Sequence, residues 1–187
     1  MKEGKIVDRI FVKKNGKMTE VIIRYPKKSD VKEIWKFYNK VIKETEFLSR
    51  MTPVSWKDEK KWLGDMLDSV RKGNKVDLLA ECNNKIIGSV SIEKKAMQRL
   101  SSVGSFGICV LQDFTGIGLG KRMMIDVEKE SKRMNIRIIE LSVYGKNKIA
   151  QNLYKKLGFK IIGKIPKAVK IRNGFDDNII MYKVLKK

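Results

Sequence analysis

Residues 111–124 read LQDFTGIGLGKRMM, and the spacing of three glycines there, Gly116, Gly118 and Gly120, organises the reading of the whole chain. An apolar, strand-like run, SVGSFGICVLQ, precedes them, and a helix-like run with Met123, Val127 and Met134 on its inner side follows to about residue 134. Glycine carries an entropic cost in either element, so three of them between a strand and a helix ask what comes close to this backbone. Successive N–H groups of such a turn point into one concavity, and the helix start adds partial positive charge. Lys121 and Arg122 add full charges at the same end. The combination suits a phosphate or pyrophosphate; the bland alternative is an ordinary tight turn. Two common phosphate signatures do not fit. A P-loop ends in G-K-[ST], whereas Gly120-Lys121 is followed here by Arg122. A dinucleotide fingerprint spaces its glycines more widely and sits in an early βαβ unit, whereas a run of hairpins comes first here.

Toward the amino terminus, KIVDRIFVKKNGKMTEVIIRY reads as a hairpin around a Lys-Asn-Gly-Lys turn, ended by Pro26. Ser29 is expected to cap a helix that turns Val31, Ile34, Trp35, Tyr38, Val41 and Ile42 to one face. Ser55 opens a second helix, with Asp58 in the capping-box position and Trp62, Leu63, Met66, Leu67 and Val70 inward. VDLLAECNNKIIGSVSIEKK is a second hairpin turning at Asn83-Asn84. Past the glycine turn come the strand IRIIELSV, the helix KIAQNLYKKLG stopped by Gly158, and two closing strands, FKIIGKI and DNIIMYKVL. Without repeats, linkers or low-complexity segments, residues 1–187 read as one α/β or α+β domain, with 1–20 extending a hairpin by an amino-terminal strand.

Composition narrows the chemistry. The absence of histidine from all 187 residues excludes a Ser-His-Asp triad and the common histidine zinc sites. Cys82 and Cys109 lie in apolar stretches without metal-ligand spacing, and read as buried, reduced thiols. No apolar run approaches the roughly 20 residues that span a bilayer, and the basic amino terminus lacks the apolar core of a signal peptide. A cytoplasmic protein with no membrane partner is the expectation. The net charge of +21 admits two readings: an anionic partner such as nucleic acid or the ribosome, or a lysine-rich surface with its charge spread evenly.

At this point the residues carry a resemblance. GICVLQDFTGIGLGKRMM resembles the acetyl-coenzyme A loop of the GNAT N-acetyltransferase superfamily, [Q/R]-x-x-G-x-[G/A] after a strand, with Thr115 in place of the Gln or Arg. LSVYGKNKIAQNLYKKLGF resembles that superfamily's second signature at Val143, Asn147, Ala150, Leu153, Tyr154, Gly158 and Phe159. The ending RNGFDDNIIMYKVL is similar, loosely, to branches that acetylate ribosomal proteins and other protein amino groups. The resemblance implies a mixed, mostly antiparallel central sheet of about seven strands flanked by about four helices. It also implies acetyl-coenzyme A as acetyl donor and no metal.

Carried over by residue, the resemblance implies that the strand backbone from Ile108 through Cys109 to Val110 pairs with the pantetheine arm, with Val110 N–H on the thioester carbonyl. Amides of Thr115, Gly116, Ile117, Gly118, Leu119 and Gly120, with Lys121, would take the pyrophosphate. Asn147 would contact the cofactor toward its thiol end, and Tyr154 would protonate the departing thiolate. The chemistry asks for such groups, because amine attack on a thioester builds an oxyanion and expels a thiolate. Many relatives place a Glu base on the fourth strand, where this chain has Ser102, Ser105 and glycines. Glu93 on the neighbouring strand is the substitute, with Glu46 between the first helices behind it; otherwise water relays the proton. Cys109 is read as packing rather than as a covalent carrier.

The expected activity is therefore direct transfer from acetyl-coenzyme A to a primary amine in a ternary complex. Acceptor choice falls to ETEFLSRMTPVSW and IPKAVKIRNGFDD. So basic a protein repels polyamines, which favours a protein or peptide amino group or a small neutral or anionic amine. The competing class is a non-catalytic module binding coenzyme A or RNA. Against it stand Tyr154 in its motif and the lack of aromatics interleaved with lysines. Oligomeric state, a homodimer included, stays open.

Overall fold

In the computed structural model, residues 3–14 and 16–185 are described; Asn15, inside the expected first turn, lies outside them. Twelve main elements follow in order: β1 (Ile6–Lys14), β2 (Lys17–Arg24), α1 (Val31–Glu44), α2 (Trp56–Arg71), β3 (Lys75–Cys82), β4 (Lys85–Lys94), β5 (Val103–Val110), α3 (Leu119–Ser131), β6 (Ile138–Tyr144), α4 (Lys148–Lys156), β7 (Lys160–Ile171) and β8 (Gly174–Val184). They form one sheet in the order β1-β2-β3-β4-β5-β6-β8-β7, eight strands where about seven were expected. Every described neighbour pair is antiparallel except β5 with β6. That exception follows from chain order, since α3 carries the chain back across the sheet between them.

The two faces of the sheet have different partners. Alternation along β4 turns Gly88, Val90 and Ile92 toward α3, where Met123 would lie 3.0 Å from a Cβ on Gly88. The other face takes α1 and α2, with Lys75 of β3 over the Trp62 ring of α2. The core runs through both layers and includes Leu78, Leu79, Ile92, Leu119, Met123, Met124 and Ile139, all essentially without exposed surface. Burying such side chains contributes about 1.5–3 kcal/mol each.

Local signals held in several places. Asn83 and Asn84 take positive φ (48° and 60°) at the β3–β4 turn, and the Ser55 hydroxyl accepts the Asp58 N–H at 3.2 Å. Met123, Val127 and Met134 are buried, although α3 ends at Ser131 and its tail tightens to a 3₁₀ turn. Two expectations fail. Ser29 does not cap α1; it lies in a 3₁₀ turn, Lys28–Asp30, and the organising residue is Asp30. That carboxylate is buried, takes two bonds from Arg24 (2.7 and 2.8 Å) and accepts Lys27 N–H at 2.8 Å. Arg24 reaches Glu81 on β3 through its Nε at 2.7 Å, tying the base of α1 to the sheet. Trp62 is also not inward: it stays 43% exposed, because its ring serves as a lid for Lys75.

Candidate active site

The parallel join between β5 and β6 is short. It covers Val103, Gly104 and Ser105 against Ile138, Ile139 and Glu140; beyond it β6 stays with β8 while β5 runs on with β4 alone. Leu111 donates its N–H to the Ile87 carbonyl at 2.9 Å, on the β4 side. Strand alternation then turns Cys109 backbone to β4, and the N–H and C=O of Ile108 and Val110 into the gap that β6 has left. A wedge with an unpaired edge opens there, able to take an extended chain as one more strand.

The glycine turn closes one end of that wedge. After a 3₁₀ turn, Gln112–Phe114, the Thr115 hydroxyl donates to the Gln112 carbonyl at 2.8 Å. Gly116 and Gly118 follow with φ of 75° and 85°, angles that a side chain strains. A Cβ on either would meet nothing within 4 Å, so the glycines answer to backbone angle and to open space rather than to tight packing. α3 starts directly afterwards, with its first amides unpaired within the helix. Lys121 has no ion pair among the described residues, whereas Arg122 is committed elsewhere, to Asp8 (2.6 Å) and Asp126 (3.5 Å). The expectation that both cations serve the turn is corrected in that respect: only Lys121 is available to it.

Tyr154 lies on the inner face of α4, 6% exposed, with its ring edge-on to Phe106 of β5 (5.9 Å) and tilted against Phe159 (5.8 Å). Its hydroxyl makes no hydrogen bond to the described residues. Burial first, and the nearby Cys109 second, push the phenol up to about 12. It is therefore a neutral donor at physiological pH. The Cys109 thiol is likewise pushed up to about 12, by burial and then by Asp77, which leaves it protonated and inert. Asn147 caps α4 through Oδ1, accepting Ala150 N–H at 3.1 Å. Gln151 holds the β6–α4 bend by donating to the carbonyls of Tyr144 and Gly145.

Beside the wedge mouth, the connection 45–55 and the β7–β8 turn, the two stretches in which acceptor choice was expected, come together. They enclose a cleft of about 410 Å³ lined by Glu44, Thr45, Glu46, Phe47, Arg172 and Asn173. Phe47 sits edge-on to Tyr144 (6.5 Å), at the end of β6 where the wedge is widest. Glu44 links cleft and turn by accepting Gln112 N–H at 2.8 Å. Arg50 and Lys170 line an adjoining recess shared with Arg172.

The proposed bases separate. Glu46 lines the cleft, exposed and without an ion pair among the described residues. Glu93 is at the other end of the sheet region: exposed, 3.7 Å from Lys75 and paired in register with Ser105, about 13 Å of strand from Cys109. A carboxylate not singled out in the sequence is instead buried. Glu59, in the first turn of α2, is only 3% exposed. Its spacing to Leu63 and Met66 puts it in the apolar stripe of that helix, the one signal that could have revealed it.

The sequence profile described as the acetyltransferase (GNAT) family matches residues 42–159, more than half of the chain and all of the wedge, turn and Tyr154 helix. The chain belongs to the GNAT acetyltransferase family. An L-amino acid N-acetyltransferase from Escherichia coli (strain K12) is 28% identical over 158 residues, 84% of this chain and 93% of that protein. The crystal structure of a GNAT-family acetyltransferase from Streptococcus pneumoniae is also 28% identical, with a TM-score of 0.80, covering 88% of this chain and 99% of the other. A putative acetyltransferase from Salmonella typhimurium, solved with acetyl-coenzyme A, shares the fold at 18% identity and a TM-score of 0.78, covering 89% and 95%.

This GNAT protein is an N-acetyltransferase whose acetyl donor is acetyl-coenzyme A. The unpaired edge of β5, the open glycine cradle and Lys121 fit a donor with a long polar arm and a pyrophosphate. Among the described residues no group of three or more acidic or cysteine side chains gathers as a metal site, and no helix is long and apolar enough to cross a membrane.

Proposed function

We propose that this N-acetyltransferase acetylates the amino group of a small acceptor that also carries a carboxylate, an L-amino acid being the simplest. The charge of the cleft carries the reading. Arg172 lines the cleft, and Arg50 and Lys170 line the recess adjoining it, all without an ion pair among the described residues, against the single unpaired carboxylate of Glu46. Such a surface attracts an anionic group and repels a polyamine. The name of the Escherichia coli relative, an L-amino acid N-acetyltransferase, points the same way.

In this reading the β5 backbone at Ile108 and Val110 aligns the donor's arm, and Val110 N–H stabilises the oxyanion that forms as the amine attacks. Thr115 to Gly120, with Lys121, hold the pyrophosphate, and Asn147 offers its remaining amide N–H groups toward the thiol end. Tyr154 gives its proton to the departing thiolate, in a pocket where Phe106 and Phe159 keep water away. Holding amine and thioester together supplies much of the acceleration.

The test compares L-methionine with L-methioninamide and with a peptide amino terminus as acceptors. Faster turnover of the free amino acid, lost in Arg172→Ala through a raised KM, is the expected result. Preference for the amide or the peptide would overturn the small-acid reading and favour a protein acceptor.

A further inference from the structure

Asp176 and Asp177 close the stretch IPKAVKIRNGFDD, in which acceptor choice was expected, yet neither lines the cleft or the recess beside it. We infer that Asp176 is instead the positioning residue of α4: its carboxylate fixes the bend between β6 and that helix, and with it the place of Tyr154 at the wedge. The functional consequence rests on the proposed reading of Tyr154 as the acid. The two neighbouring carboxylates work in different directions. Asp177 stays within the β7–β8 hairpin, where Oδ1 accepts Lys167 N–H at 3.0 Å and Oδ2 meets Lys164 at 3.0 Å. Asp176 is buried and reaches out of the hairpin, its Oδ2 accepting Lys146 N–H at 2.9 Å. Its Oδ1 accepts Asp177 N–H at 2.8 Å, so the carboxylate is itself held from its own strand. A buried carboxylate needs such donors, and both of its oxygens have one.

The bend Tyr144–Asn147 lies past the β6–β8 ladder, whose last pair is Tyr144 with Asn178. Its own turn bond runs from Asn147 N–H to the Tyr144 carbonyl at 3.0 Å. The two amides between are met by β8: Gly145 N–H by the Asp177 carbonyl at 2.8 Å, and Lys146 N–H by the Asp176 carboxylate. Gln151 of α4 covers the carbonyls of Tyr144 and Gly145, both at 2.9 Å. Gly145 records how closely the carboxylate approaches. A Cβ there would fall 2.8 Å from Asp176 Oδ1 and 3.2 Å from the Asp177 Cβ, so no side chain fits between bend and strand.

What the bend fixes is the start of α4. Asn147, its last residue, is the N-cap of the helix, and Tyr154 follows about 10 Å along the axis. A tilt of about 6° at the bend would carry Tyr154 by about 1 Å, a displacement able to cost up to about 100-fold in rate. Phe106 and Phe159 hold the ring at its other side, so α4 is pinned at two points, one of them the Asp176 carboxylate. The same hairpin lends Arg172 and Asn173 to the cleft wall. One element thus places both the acceptor side and the acid.

The experiment follows Tyr154 by carbon-13 NMR of protein labelled at the tyrosine ζ-carbon, its signal identified by its loss in Tyr154→Phe. Melting temperature and kcat for L-methionine are measured alongside, in wild type, Asp176→Asn, Asp176→Ala and Gly145→Ala. The Tyr154 signal is expected to move or split in Asp176→Ala and in Gly145→Ala, and less in Asp176→Asn, which keeps one acceptor oxygen. The kcat of Asp176→Ala should fall by about 10-fold, and most of that loss should vanish in a Tyr154→Phe background, because both changes act through one group. A lowered melting temperature with the wild-type Tyr154 signal overturns the inference, since Asp176 then only stabilises the hairpin. Should Asp176→Ala not fold, Asp176→Asn and Gly145→Ala decide by the same signal. A displaced signal with wild-type kcat upholds the positioning and faults the acid reading of Tyr154 instead.

Discussion

In the role proposed for it, Tyr154 has to be neutral to give up a proton, and its burial sees to that. With its phenol pushed up to about 12, it stays protonated across the pH range in which an amine can be acetylated, so it contributes no alkaline limb to the rate profile below about pH 11. Tyr154→Phe is expected to lower kcat by about 100-fold with the donor affinity intact. The melting temperature should hold or rise, because the hydroxyl has no hydrogen bond to the described residues to lose. Steady-state kinetics, calorimetry and a thermal melt together separate this from a packing defect. At this scale a spaced motif singles out Tyr154 and Asn147 as candidates, and the structure sets one inside α4 and the other at its N-cap. Sequence reading failed where meaning depends on what lies across the fold. Glu59 looks like a surface residue in WKDEKKW yet is buried, and Arg122 looks like a phosphate ligand until Asp8, 114 residues earlier, claims it.

Among the elements, the strand–turn–helix at residues 103–131 forms the proposed donor site, and its glycines are not equivalent. Gly116→Ala and Gly118→Ala force a side chain into left-handed backbone and should each cost about 1–2 kcal/mol of stability, read from urea unfolding. Gly120 lacks a positive φ, and a Cβ there would rest at 3.5 Å from Leu153, an ordinary contact. Gly120→Ala should therefore leave stability equal or gain about 0.5–1 kcal/mol from helix propensity. Gly118→Trp should abolish micromolar acetyl-coenzyme A binding in calorimetry while the protein stays folded. The base of α1 offers a contrasting case. Asp30→Ala would leave the buried Arg24 guanidinium with Glu81 as its one carboxylate and the Tyr25 carbonyl, a loss of about 3–5 kcal/mol in the same unfolding assay. The order and kind of these elements were legible from periodicity and turn residues. The capping of α1 was not, because Asp30 is fixed by Arg24 and the sheet rather than by local helix signals.

For the molecule as a whole, two buried carboxyls set an acid-side stability slope. Asp77 has an unpartnered Oδ1 and Lys75 at 3.4 Å, while Asp126 has Arg122 at 3.5 Å without a hydrogen bond to its Oδ2. Burial pushes both up to about 6. Each keeps its proton longer in the folded protein than in the unfolded chain, so folding binds protons and stability falls as the pH rises from about 4 to about 6. Asp77→Asn should flatten much of that fall, gaining on the order of 3 kcal/mol relative to wild type at pH 7. Melts across this window in wild type and variant measure it directly. The eight-stranded order, with one parallel join, also belongs to this scale; sequence motifs implied the family's sheet but could not count its edge strands.

That single join has a mechanical consequence. Three residues at Val103–Ser105 act as the spine of a book whose covers are β1–β5 and β6–β8, with α3 and α4 laid over one side. In the proposed mode a donor arm along Ile108 and Val110 would also face the far cover, so donor binding should clasp the two halves rather than merely fill a groove. Amide hydrogen exchange in β6 and β8 should then slow on adding acetyl-coenzyme A, beyond the strands and loop that touch it, by a factor that grows with donor concentration. The donor would thus bridge the two halves of the sheet, coupling occupancy of the site to the rigidity of the fold.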